Sequence, residues 1–162
     1  MKRGTSDLAI FGGPKAVTQP APPYPVVDHD ELSAAMRVIL SRGLSDPGRG
    51  EFVAAMEDQY AAYFGARYCL SFASGTAALH GALFAVGVRP GAEVLTCNHN
   101  WISGITAILH AGGTPVLCDV QKDRWHIDPA EIPRKATPNT RAVVVTHLWG
   151  VPADMDRIVA AH

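Results

Sequence analysis

From residue 67 onward the chain alternates short apolar segments with helix-length ones, and that alternation restricts its fold more than any other feature. The strand-like segments are Tyr68 to Phe72, Glu93 to Thr96, Val116 to Asp119 and Ala142 to His147. Helical segments start at Thr76, near Ser103, near Pro129 and after Asp154. Strand, helical crossover and strand in repetition give a parallel sheet covered by helices, an α/β fold with its ligand sites at the carboxyl ends of the strands. The apolar, mostly β-branched run Ala142 to Val145 suits a strand buried on both faces.

The residues before this pattern are organised differently. Residues 1–27 contain Pro14, Pro20, Pro22, Pro23 and Pro25, which fix extended backbone and remove donors, so they are read as a surface arm. Residues 28–66 hold two helices. One has a stripe of Leu32, Met36, Ile39 and Leu40 behind an Asp28/Asp30 cap; the other has Phe52, Met56, Tyr60 and Phe64 and ends at Gly65. Both stripes are expected to face a core, and the glycine-rich loop Gly43 to Gly50 joins the helices. Residues 67–162 form the third region, the first part of an α/β domain. Asp154 to His162 has a helix start and an apolar stripe but no C-cap residue and no strand after it, so the chain is expected to be a fragment.

Composition narrows the function classes. With 48% hydrophobic and 18% charged residues the 162-residue chain can bury a core and lacks the signature of disorder. A net charge of -1 without a Lys/Arg cluster gives no basis for binding nucleic acid or an anionic membrane. The long uncharged stretches Tyr68 to Val88 and Val94 to Cys118 are broken by polar residues and glycines, which argues against membrane spans. Cys69, Cys97 and Cys118 lie in apolar runs and are odd in number, as expected of reduced thiols in a cytoplasmic protein. The apolar run Leu8 to Phe11 is too short for a signal peptide.

The motifs that carry chemistry follow the strands. Ser74-Gly75-Thr76 stands where an apolar segment runs into a helix, so Gly75, Thr76 and Ala77 offer backbone N–H groups, and the Ser74 and Thr76 hydroxyls add donors to an anion site. Plain capping is the other reading of the same residues. Trp101 sits among polar neighbours before a helix and is either a hydrophobic plug or a stacking platform for a flat ring. Asn100 and His147 follow strands, where such a fold places its ligand, and are candidates for a substrate pocket. His80 is read as a packed residue and Asp119 as structural. No metal site is expected, because Cys97, His99, His110, His126 and His147 lack a second closely spaced ligand pair. Neither a dinucleotide-binding nor a P-loop glycine motif is present.

Phe72-Ala-Ser-Gly-Thr-Ala-Ala-Leu-His80, Val86 to Thr96, Gly112 to Val120 and Val145-Thr-His-Leu-Trp-Gly-Val-Pro-Ala-Asp-Met-Asp156 together resemble the DegT/StrS-type aminotransferases, pyridoxal-phosphate enzymes of fold type I acting on keto-sugars and ketocyclitols. The resemblance runs in order from about residue 24, and Phe11 to Val17 with Pro22 to Pro25 look like the branch that includes inosose aminotransferases. It implies that Gly75, Thr76 and Ala77 hold the cofactor phosphate, that Trp101 stacks on the pyridine ring, that His147 lies at the pocket edge with no role assigned, and that a homodimer builds each active site from both subunits. It also implies glutamate or glutamine as donor. The Schiff-base lysine and the acid on the pyridine nitrogen would lie beyond the equivalent of His162, so no catalytic residue is assigned to this chain and the chain alone is expected to be inactive. A dehydratase of the same family and a non-catalytic binding or dimerisation module are the alternatives.

Overall fold

The structure, a computed structural model, describes residues 8–45 and 48–161, which fall into two compact units divided between Met56 and Glu57. In the first unit residues 8–27 are largely exposed, with one 3-10 turn at Ala9–Phe11. Helix α1, His29–Leu40, opens on a reciprocal cap: the Asp30 N–H donates to Asp28 Oδ1 and the Asp28 N–H to Glu31 Oε2, both at 2.9 Å. Its apolar stripe does not face a core. Leu32, Met36, Ile39 and Leu40 are 51 to 74% exposed, because no element among the described residues of this unit covers them.

Helix α2, Glu51–Phe64, begins in the first unit and ends in the second at Gly65, whose φ of +63° is glycine's to adopt. Here too the expected core stripe is wrong: Phe52, Met56, Tyr60 and Phe64 are exposed, and the buried side chain of α2 is Glu57. Glu57 Oε1 accepts from the Ser71 N–H at 2.8 Å and from Ser71 Oγ at 2.9 Å. These bonds explain a second difference. The expected first strand, Tyr68 to Phe72, is not in the sheet, and Tyr68 and Leu70 are exposed. The segment has a strand's apolar composition, but a strand also needs a neighbour to pair with, and the Ser71 N–H is committed to a carboxylate.

The sheet has three parallel strands: β1 (Glu93–Cys97) lies between β2 (Thr114–Cys118) and β3 (Thr140–Val144). Helices α3 (Gly75–Ala85) and α4 (Ile102–His110) pack on one face; α5 (Glu131–Lys135) and α6 (Met155–Ala160) contribute to the core on the other. Alternation along β1 sorts its side chains between them. Val94 joins Leu83, Val88, Ala107 and Ile108 in one core, while Leu95 and Cys97 join Cys118, Ile127, Ile132 and Ile158 in the other. Cys97 and Cys118 are register partners on adjacent strands, both buried and both free thiols. Since β3 ends at Val144, Thr146 and His147 lie in the loop beyond it.

Candidate functional site

The site lies at the carboxyl ends of the strands, where α3 and α4 also begin. Ser74, in extended backbone, caps α3: its Oγ accepts from the Ala77 N–H at 3.2 Å, and its carbonyl accepts from the Ala78 N–H at 3.0 Å. The N–H groups of Gly75 and Thr76 are left without a partner among the described residues. A Cβ built on Gly75 would meet nothing within 4 Å, so the backbone there is open to an incoming group. Two unpaired N–H groups at the positive end of an eleven-residue helix can hydrogen-bond an anion such as a phosphate.

Helix α4 starts beside it. Thr76 Oγ1 donates to Ser103 Oγ at 2.8 Å, joining the first turns of the two helices through a pair of hydroxyls. Ser103 is not among the site residues expected from the sequence, because nothing local to residue 103 shows that Thr76 will be its partner. Trp101, just before α4, is 71% exposed and therefore not a hydrophobic plug within the described residues. Its backbone is held by Asn100, whose Oδ1 accepts from the Trp101 N–H and from Thr146 Oγ1, each at 2.7 Å, while Nδ2 donates to Thr96 Oγ1 at 3.1 Å. Asn100 thus ties the ends of β1 and β3 together under Trp101. Gly104 makes room for it, since a Cβ there would lie 2.4 Å from Asn100 Nδ2.

At the other strand ends, Asn98 Nδ2 donates to Asp119 Oδ1 at 2.8 Å. Glu131 and Lys135 hold the end of β2. Lys135 Nζ donates to the Leu117 carbonyl at 2.7 Å and pairs with Glu131 Oε2 at 2.9 Å. The Lys135 hydrogen bond and the Asp119 backbone N–H keep the Glu131 carboxyl below its usual range, and the bond to Glu131 raises the Lys135 ammonium above its own. His147 Nδ1 accepts from the Ala153 N–H at 2.9 Å, so in its neutral form the imidazole carries its proton on Nε2. His80 meets the His110 ring at 6.0 Å, in keeping with packing between α3 and α4. Burial raises the Cys97 and Cys118 thiols, and no three His, Cys, Asp or Glu side chains gather in a metal-binding group among the described residues. None of the described helices is long and apolar enough to cross a membrane. The glycine-rich loop borders a cavity of about 640 Å³ lined in part by Ser41, Gly43, Leu44, Gly50 and Phe52; its Asp46 and Pro47 lie outside the described residues.

Residues 26–161 match the model of the DegT/DnrJ/EryC1/StrS aminotransferase family. The L-glutamine:2-deoxy-scyllo-inosose aminotransferase of Streptomyces fradiae is 38% identical over 160 residues, a match covering 93% of this chain and 37% of that protein. Among solved structures, 3-amino-5-hydroxybenzoic acid synthase superposes with a TM-score of 0.79 at 32% identity, over 86% of this chain and 36% of that one. NtdA from Bacillus subtilis, solved with bound cofactor PMP, has a TM-score of 0.74 at 29% identity, over 82% of this chain and 31% of that one. The chain therefore spans well under half the length of these relatives.

Proposed function

The chain belongs to the DegT/DnrJ/EryC1/StrS aminotransferase family, and from that premise we propose that it supplies the phosphate seat and the ring platform of a pyridoxal-phosphate-dependent aminotransferase. The donor is glutamine or glutamate and the acceptor a ketocyclitol or keto-sugar, by analogy with the inosose aminotransferase relative. The observation that carries the reading is the start of α3, where the Gly75 and Thr76 N–H groups are unpaired in front of open space.

The residues fit the cofactor. Gly75 and Thr76 would bind its phosphate through their N–H groups, with the Ser74 hydroxyl and the Thr76–Ser103 pair as further donors. Trp101 would present its exposed face to the pyridine ring, its backbone fixed by Asn100. Pyridoxal phosphate, when bound, supplies the electron sink for amino-group transfer. Lys135 is a protonated clamp on Leu117 and Glu131 and is not assigned as a nucleophile; the reading gives this chain no catalytic residue. It does include a cytoplasmic homodimer, supported by the free thiols Cys69, Cys97 and Cys118 and by the uncovered apolar stripe of α1.

The test uses the intact protein that carries this chain. Glutamine should bleach the visible absorbance of the loaded protein, and 2-deoxy-scyllo-inosose should restore it. Thr76→Ala should weaken cofactor binding by about 1–2 kcal/mol, the range for a hydrogen bond to a charged group. Trp101→Ala should also shift the absorbance. Wild-type affinity and spectrum in both variants would overturn the placement.

A further inference from the structure

Beyond the carboxyl end of each strand lies an aromatic side chain that meets those from the other two. His99 follows β1, Trp125 lies in the loop after β2, and Trp149 lies in the turn after β3. Ring centroids are 5.1 Å apart for His99 and Trp125, 5.8 Å for His99 and Trp149, and 6.3 Å for the two indoles, with the ring planes tilted by 41°, 58° and 82° respectively, so the cluster is a corner and not a flat sheet of rings. Rings that serve only to pack a core lose their surface, yet Trp125 and Trp149 remain 58% and 74% exposed.

Trp149 is also held in an unfavourable backbone conformation. Its φ of 53° and ψ of 32° lie in the left-handed region, which bulky residues rarely occupy. The turn is fixed from outside by the bond from the Ala153 N–H to His147 Nδ1 at 2.9 Å and by that from the Val151 N–H to the Leu148 carbonyl at 3.0 Å. This finds a use for His147 at the pocket edge: it positions the turn that presents Trp149. Polar groups neighbour the rings in sequence. Asn98, next to His99, is bonded to Asp119; both are exposed, and Asn98 Oδ1 and Asp119 Oδ2 have no partner among the described residues.

We propose that His99, Trp125 and Trp149 form the platform at which the amino-acceptor ring lies, a six-membered polyhydroxylated ring with equatorial hydroxyls whose face rests on the Trp125 indole and whose side is closed by the tilted His99 and Trp149 rings, with Asn98 and Asp119 taking hydroxyls at its edge. The proposal rests on the aminotransferase reading and deepens it by naming what selects the acceptor. A ring of that stereochemistry carries only axial C–H groups on its two faces, and their partly positive hydrogens suit the negative face of an indole. Its hydroxyls radiate in the ring plane, towards amide and carboxylate partners. An axial hydroxyl would break the flat contact, and glutamine has no ring face to offer.

Calorimetric titration of the intact protein with scyllo-inositol, which has the ring but no ketone, tests this without turnover. Wild type should bind saturably, Trp125→Ala at least about tenfold more weakly, and Trp125→Phe, which keeps a flat ring, within about threefold of wild type. Trp149→Gly serves as a second variant because glycine tolerates this φ. It should lose binding with no fall in melting temperature, whereas a merely structural Trp149 would cost stability. No saturable binding by wild type, equal affinity in Trp125→Ala, or Phe no better than Ala would each overturn the proposal, as would a change only in oligomeric state. A protein that binds scyllo-inositol on these rings but never passes on the amino group of glutamine loses the aminotransferase reading and keeps the platform. One that transaminates with unchanged scyllo-inositol affinity in Trp125→Ala keeps the reading and loses the platform.

Discussion

Strand β1 and helix α1 are both amphipathic or apolar in sequence, yet Val94 and Leu95 have no exposed surface while the α1 stripe is more than half exposed. The strand lies between two neighbours and under helices on both faces, so consecutive side chains enter different cores. The helix has its cap, its acidic first turn and its apolar face, and nothing among the described residues of its own unit lies over that face. A local pattern fixes what an element is. Whether its apolar side is buried depends on residues far away in sequence.

The largest expected effect is in the covered region. Leu95→Ala should destabilise the protein by about 2–5 kcal/mol in denaturant unfolding, the range for truncating a fully buried leucine. A loss below about 1 kcal/mol would mean that this core is not the one that holds the sheet.

A smaller effect is expected at the polar clamp beside that core. Because Glu131 is held below the usual carboxylate range by Lys135 and the Asp119 N–H, its stabilisation is present above the unfolded-state value and fades as pH falls through the folded one. Lys135 is raised, so its share is present below the ordinary lysine range and is lost as pH rises through the folded value. Melting curves across pH should therefore show an acid limb that Glu131→Gln flattens. An unchanged limb would remove the clamp from the account. The smallest effect belongs to the uncovered helix: measured at concentrations where the protein is monomeric, Leu40→Ala should change stability by no more than about 0.5 kcal/mol, and a cost like that of Leu95→Ala there would show that the stripe is covered within its own subunit.

What could be read from the sequence follows the same division. The parallel α/β pattern, the Asp28 cap and the Ser74–Gly75 helix start depend on neighbours in sequence, and the structure contains them. The strand expected at Tyr68 to Phe72 failed because pairing is non-local, and the Glu57 carboxylate took the Ser71 N–H instead. Within the site, the open Gly75 backbone follows from local sequence, whereas the residues around Trp101 leave it open between a plug and a platform, and only its exposure in the fold separates the two. Ser103 and the three-ring cluster were missed because each depends on contacts between elements that only the folded sheet brings together.

The side-by-side thiols of β1 and β2 give the fold a built-in timer. Cys97 and Cys118 are sealed under the second core, and burial disfavours the thiolate that a labelling reagent attacks. Each can react only when the central strands part, so the rate at which they take up a reagent reports how often the heart of the sheet opens. Cys69, half-buried in the unpaired segment held by Glu57, keeps time for a more local loosening.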